Sequence, residues 1–280
     1  MAASAPPKPK MWQRFLAGTV SGAALTAVGH PLDTLRVKLQ VEGGGLLNVL
    51  RALWRAEGVW GLYRGFLPPL LLTGLVNTVL WGVQFSLMDE LAARGEGGSA
   101  TTRAMLAAVP ASIASAALVA PMELVKTRQQ TSPALRQPVH ALLREVLRRE
   151  GPRGLFRGFG IVCCCRLFGG WGYFGGNAYA LEALSSALPP QGVGGRARNT
   201  LLAGGFAGVC YWALAMPFDT VKSTLMAMEE RQGVLATARK IHARGGALGF
   251  YRGFSAAVLR ALPANAAAFT AFDITMRSLV

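Results

Sequence analysis

The stretch PLDTLRVKLQ, residues 31–40, follows an apolar run and places a proline, an acid at Asp33 and bases at Arg36 and Lys38 within about three helical turns. Proline removes a backbone donor and kinks a helix, and residues three apart share a helix face. The pattern returns as PMELVKTRQQ from Pro121 and as PFDTVKSTLM from Pro217. The intervals, 121 − 31 = 90 and 217 − 121 = 96 residues, are nearly constant. A second motif follows each copy: EGVWGLYRG at 57–65, EGPRGLFRG at 150–158 and GGALGFYRG at 245–253. Two ordered motifs occurring three times each describe an internally triplicated chain.

Composition says what surrounds the repeats. The chain is 52% hydrophobic and only 15% charged, against about 25% charged in soluble domains. Its net charge of +15 would suit a nucleic-acid binder, but the bases lie between long apolar segments rather than along one solvated face. No nucleic-acid partner is expected. The start, MAASAPPKPKMWQRF, has no signal-peptide core, so membrane entry is expected to rely on the spans themselves. Cys163, Cys164, Cys165 and Cys210 form no CxxC pair and the three histidines are scattered. Neither a disulfide framework nor a metal site is indicated, and no cofactor is implied.

Each repeat holds two apolar stretches of bilayer-spanning length, which takes roughly 20 residues. Six spans are predicted near 12–40, 65–91, 102–130, 158–184, 200–227 and 253–279. A polar tail at 1–11 precedes repeats at 12–91, 102–184 and 200–280, which together make one transmembrane domain. Two spans per repeat return the chain to its starting side, so the repeats insert in parallel around an axis along the membrane normal. The expected fold is an all-α membrane protein: six transmembrane helices, as three pseudo-symmetric two-helix repeats, around a central cavity. Between paired spans, LLNVLRALWRAEG, VHALLREVLRREG and VLATARKIHARGG read as amphipathic surface helices with several arginines. The opposite loops, around 89–102 and 183–199, are less basic. The positive-inside bias then puts the surface helices on the side equivalent to the bacterial cytoplasm.

Kinks at Pro31, Pro121 and Pro217 would tilt three helix ends toward the axis. After each comes an acid and, three residues later, a base: Asp33 with Arg36, Glu123 with Lys126, Asp219 with Lys222. Charges near a membrane are costly unless paired. Pairing is open either within each helix or around a ring of all three, and three copies at one depth favour the ring. Glycines four apart, Gly18 with Gly22 and Gly204 with Gly208, read as close-packing surfaces.

The constellation resembles the mitochondrial carrier family over almost the whole chain, through its signature of proline, any residue, acid, two residues, base. That resemblance implies an inner-mitochondrial-membrane carrier alternating between two access states. It implies that the six charged residues form a matrix-side gate, with Gln40 and Gln130 as glutamine braces beneath it. Met226 takes the third brace position and Thr224 replaces a second base, so a two-brace gate is expected. At the opposite gate only Phe272–Asp273 keeps the family's aromatic–acid pair, and Arg277 falls one residue late. Asp89 and Glu182 are candidate substitutes.

Arg260 lies eight residues past Arg252, and Arg166 nine past Arg157, roughly 12 and 13.5 Å deeper at 1.5 Å per residue. Arginines at mid-membrane face a water-filled cavity and mark a substrate path. In the family these depths are the substrate contact points, matched on the second helix by Leu72 with Thr73 and Gly74 beside it. RALPANAAAF at 260–269 and VNTVLWGVQ at 76–84 resemble the carnitine/acylcarnitine, ornithine and basic amino-acid branch. Arg260 and Arg166 are expected to grip a carboxylate, with Asn265, Asn77 and Thr73 giving neutral hydrogen bonds. Trp81, Trp171 and Tyr173 could hold a quaternary ammonium by cation–π contact. No acid occurs at mid-depth on the even spans, so a carboxylate or other anion competes with carnitine derivatives and amino acids as substrate. A proton or anion leak and a non-transporting membrane protein remain open, and no enzyme chemistry is indicated. A monomer is expected, with membrane lipid, including cardiolipin, at the matrix-side helix ends.

Overall fold

A computed structural model describes residues 11–131, 138–189, 192–228 and 232–279. Among these residues the regular structure is entirely helical. Six long helices, α1 (Met11–Val41), α3 (Leu67–Ala93), α4 (Ala100–Thr131), α6 (Phe159–Ala187), α7 (Gly192–Ala227) and α9 (Phe254–Leu279), alternate with short ones: α2 (Leu46–Leu62), α5 (Val139–Glu150) and α8 (Val234–Gly245). The long helices match the six expected spans to within a few residues, except that α7 begins eight residues early. That polar extension caps its neighbour. Asn199 Nδ2 donates to the Leu188 carbonyl at 3.0 Å and to the Leu184 carbonyl at 3.5 Å, and Arg198 Nη2 donates to Leu188 O at 3.3 Å. The Leu188 carbonyl lies just past the last turn of α6, where carbonyls lack intrahelical partners. The tail at 1–10 lies outside the described residues.

The burial pattern is inverted relative to a soluble protein. Leu71 and Leu201 are 68% and 69% exposed, whereas Lys126 and Asp219 are 4% and 1% exposed. A bilayer solvates the leucines, and the charges turn inward toward partners. By length and composition alone α3, α4 and the Gly194–Ala227 part of α7 are apolar enough to cross a membrane. Helices α1, α6 and α9 are of similar length and carry Arg36, Arg166 and Arg260 toward the central cavity.

Pro31, Pro121 and Pro217 all lie inside helices. Each deprives the carbonyl four residues earlier of its helical donor. In repeat three that carbonyl belongs to Ala213, and the Tyr251 hydroxyl donates to it at 3.2 Å. Thr34 and Thr220, each next to a motif acid, tie the surface segments to the bundle. Their hydroxyls donate to Leu62 O and Phe250 O, both at 2.7 Å. In repeat two the equivalent Leu124 is instead fully buried in the largest apolar cluster.

The main helix contacts are between repeats: α3 with α4, α6 with α7, and α9 with α1. The glycine of each arginine–glycine pair makes this possible. Gly65, Gly158 and Gly253 have φ of 70°, 77° and 83°, a region L-residues avoid. Each starts an even span and lies against the next repeat. A Cβ on Gly65 would sit 2.9 Å from Lys126 O, one on Gly158 3.2 Å from Leu225 Cδ2, and one on Gly253 3.0 Å from Arg36 O. The glycines expected to pack closely do not. A Cβ on Gly18, Gly22, Gly204 or Gly208 would meet nothing within 4 Å. The close approach uses α6 instead, where Cβ atoms on Gly172 and Gly176 would lie 2.5 Å from Cys210 O and 2.8 Å from Cys210 Sγ on α7. The sequence reading singled out the four-residue spacing on α1 and α7, but it is the same spacing on α6 that faces a neighbour's backbone.

Gly65→Ala is expected to lower stability by about 1–3 kcal/mol, from backbone strain and the contact with Lys126 O. Gly18→Ala, with open space around it, should be neutral or stabilise by up to about 1 kcal/mol. Thermal unfolding of the two purified variants in detergent compares them directly.

Candidate functional site

The motif charges meet on the bundle axis, and they pair between helices. Asp33 Oδ2 on α1 lies 3.3 Å from Lys126 Nζ on α4. Glu123 Oε2 on α4 lies 2.7 Å from Lys222 Nζ on α7. Asp219 Oδ2 on α7 lies 3.1 Å from Arg36 Nη1 on α1, an ion pair without hydrogen-bond alignment. Repeat one binds two, two binds three, and three returns to one. Pairing along a single helix accompanies the ring: Asp219 with Lys222 at 2.7 Å and Asp33 with Arg36 at 3.7 Å. The Arg36 guanidinium also stands 4.5 Å from the Trp212 ring centroid, where the aromatic face attracts cations.

The two glutamines act differently. Gln40 Nε2 donates to Asp219 Oδ2 at 2.8 Å, directly on a ring carboxylate. Gln130 Nε2 donates to the Thr34 hydroxyl at 3.0 Å, and among the described residues it makes no hydrogen bond to a ring member. Met226, at the third position, is buried in the apolar cluster. Repeat three also lacks an outer pair. Arg128 reaches Glu150 at 2.9 Å in repeat two, whereas Thr224 and Gly245 occupy both equivalent positions in repeat three. The base and its acid are lost together, so no buried charge is stranded there.

Above the ring lies a cavity of about 400 Å³. Five of the expected contact residues line it: Thr73, Asn77, Arg166, Tyr173 and Arg260. Arg260 Nε is 3.3 Å from Asp33 Oδ1, so this arginine touches the ring as well as the cavity. Arg166 Nε donates to Ser115 Oγ at 2.9 Å, and the Thr73 hydroxyl donates to Pro69 O. Charged residues in the lining are Arg36, Lys126, Arg166, Lys222 and Arg260 against Asp33, Glu123 and Asp219, so 5 − 3 leaves a formal charge of +2. The three acids are ring members, and the two arginines are the surplus.

Two expected contacts fall elsewhere. Trp171 is absent from the cavity wall; its indole Nε1 donates to Met105 O at 3.0 Å and its ring packs edge-on to Phe168. The wish of a buried indole for an acceptor is met between α6 and α4. Gly74 is exposed, with open space around it. The side chains of Trp81 and Asn265 lie outside the described residues. At the other end of the bundle, Phe85 and Tyr179 are exposed, and among the described residues neither Asp89 nor Glu182 makes an ion pair. The side chains of Phe272, Asp273 and Arg277 are outside the described set.

Tyr211 and Trp212, both in the wall, were not foreseen. A signal existed. Five and six residues before the motif prolines the repeats read Leu25-Thr26, Ser115-Ala116 and Tyr211-Trp212. Aligning the repeats on their prolines shows one bulky aromatic pair opposite smaller residues, where the threefold frame departs from symmetry.

The family model for the mitochondrial carrier protein matches this chain three times in succession, at residues 7–92, 98–187 and 195–280. The chain belongs to the mitochondrial carrier family. Relatives span nearly its full length. Solute carrier family 25 member 45 of Mus musculus is 31% identical over 95% of this chain and 98% of its own. A mitochondrial carnitine/acylcarnitine carrier-like protein of Arabidopsis thaliana is 32% identical over 96% and 98%. A mitochondrial basic amino acids transporter of Bos taurus is 33% identical over 94% and 90%. The protein is thus a transporter of the mitochondrial carrier family.

Ring members of this carrier differ in how many partners they have. Asp33 sits among three cations, Lys126, Arg36 and Arg260. Among the described residues Glu123 has one ion-pair partner, Lys222. Lys222→Met should therefore destabilise by about 3–5 kcal/mol, the cost of stranding a buried charge, and Lys126→Met by clearly less. Melting temperatures of the two variants test the order.

Proposed function

We propose that this carrier exchanges a small carboxylate-bearing metabolite across the inner mitochondrial membrane by alternating access. Carnitine derivatives and amino acids come first. The observation that carries the reading is the contact of Arg260 with both the cavity and Asp33 of the ring. A carboxylate entering the cavity competes with Asp33 for this guanidinium, because arginine binds carboxylates through paired, charge-assisted hydrogen bonds. Asp33 then keeps Lys126 and Arg36, and the ring loses one tether on α9. Binding energy is thereby converted into a lower barrier to opening, which requires a ligand that binds the two states differently.

The ring Asp33, Arg36, Glu123, Lys126, Asp219 and Lys222 is the matrix gate in this reading. Gln40 braces it directly, and Gln130 braces it through Thr34. Pro31, Pro121 and Pro217 are the bends that bring the three helix ends together. Arg166 is the second carboxylate ligand, Asn77 and Thr73 are the neutral ones, and Tyr173 offers an aromatic face. The surplus charge of +2 disfavours a dicationic substrate. The same surplus favours one second reading, a di- or tricarboxylate carrier. The translocation path lies within one chain, so the carrier acts as a monomer, with membrane lipid such as cardiolipin at the ends of the surface helices.

Counter-exchange in liposomes tests the reading, with labelled carnitine, acylcarnitine, neutral and basic amino acids, and di- and tricarboxylates. Exchange of carnitine derivatives or neutral amino acids is expected, lowered about tenfold or more by Arg260→Ala, as for loss of a hydrogen bond to a charged group. Exchange of di- or tricarboxylates alone selects the second reading. Conductance without exchange indicates a leak, neither exchange nor conductance indicates a non-transporting protein, and exchange unchanged by Arg260→Ala overturns the role given to that arginine.

A further inference from the structure

Arg166 stands between two cavities. The first is the central one. The second, about 240 Å³, adjoins it among α3, α4, α6 and α7 and shares Arg166, Tyr173 and Tyr211 with it. The rest of its wall is Leu80 and Gln84 from α3, Ala108 and Ser112 from α4, and Gly170 and Phe174 from α6. Of the polar side chains, the Gln84 amide is already engaged, its Nε2 donating to Ala104 O at 2.7 Å. Among the described residues no carboxylate lines the pocket. Arg166 is the one charge among them, and it lies on the side shared with the central cavity.

The pocket is partly open and its wall is mostly apolar. Its depth has a local cause in Gly170. A Cβ there would meet only Ala108 Cβ, at 3.9 Å, so any larger residue would grow into the pocket. An apolar-walled pocket with one cation at its mouth suits an amphiphile whose anionic end stops at the cation and whose apolar end goes in.

We propose that this pocket is a subsite for an apolar tail, so that the carrier prefers carboxylate-bearing substrates with an alkyl or aryl group over the same head alone. The proposal rests on the carrier reading above and adds the tail to it. The carboxylate binds Arg166 and Arg260, and the tail enters between α4 and α6, toward Ala108 and Gly170. Tyr173 and Tyr211 flank the passage between head and tail.

Two homologous series of zwitterionic probes test this: acetyl-, butyryl- and octanoylcarnitine, and glycine, norvaline and 2-aminooctanoate. Each is assayed by counter-exchange in liposomes and by the melting temperature of the purified full-length carrier. Affinity should rise with tail length, by about fourfold for each methylene buried until the pocket is full. Gly170→Val and Ala108→Val fill the pocket from two sides, and in either variant the ratio of long-tail to short-tail affinity should fall toward one. A flat dependence on tail length in the unaltered carrier overturns the subsite, and so does a ratio that both variants leave unchanged. If no probe exchanges, the carrier reading fails, and melting decides the pocket. Stabilisation that grows with tail length and disappears in Gly170→Val supports it, and stabilisation independent of tail length overturns it.

Discussion

Three ion pairs, each joining a different pair of helices, hold one end of this bundle shut. Their burial sets the terms for everything around them. Removing a carboxylate or an ammonium from water costs several kcal/mol after relaxation, and mutual attraction repays it only with good geometry and further hydrogen bonds. The closed ring is therefore near balance as a whole, although the loss of any one partner is expensive. An assembly that is nearly neutral overall and intolerant of partial disruption has the energetics that the proposed gate requires. Gln40 on Asp219 and Trp212 over Arg36 trim that balance, and the glycines at 65, 158 and 253 allow the helices to come close enough for it.

The cavity departs from the symmetry of the frame in ways that define its chemistry. At one depth the three even helices carry Leu72, Cys165 and Arg260, and only the last is charged. Arg166 is one residue further along α6 and is steadied by Ser115. The aromatic pair Tyr211-Trp212 faces them from α7. A threefold scaffold thus carries an asymmetric lining in which cations and aromatic rings lie side by side. The third repeat also lacks the outer acid and base, so its surface helix is tethered mainly by the Thr220 hydroxyl and by apolar contacts of Ile241 and Phe250 with α7.

Most of the fold was readable because it is repeated. Each span boundary was seen three times, and the proline and arginine–glycine motifs fixed the register of helix ends to within a few residues. The ring residues were readable for the same reason. What sequence did not reveal was direction. Trp171 and Tyr173 are two apart on one helix, yet the first points to α4 and the second into the cavity. Small residues at four-residue spacing occur on α1, α6 and α7, and only packing decides which of them meet a backbone. The link from Arg260 to Asp33 joins residues distant in sequence and depends on how α9 closes against α1. The early start of α7 was missed because polar residues such as Asn199 argue against a span, although they extend a helix well when they cap a neighbour.

The closure of α9 on α1 has a topological meaning. The other two inter-repeat contacts, α3 with α4 and α6 with α7, join helices that follow one another in the chain. This one has no covalent link and is held by contacts across the seam, among them Ser21 donating to Ala268 O at 2.9 Å and Gln13 donating to Leu279 O at 2.6 Å. In space the circle has no beginning. The polypeptide could be cut in the turn near Gly95 and rejoined between residues 279 and 11, and each helix would keep the same neighbours. The order of synthesis is a property of the gene, while the barrel records only who stands next to whom.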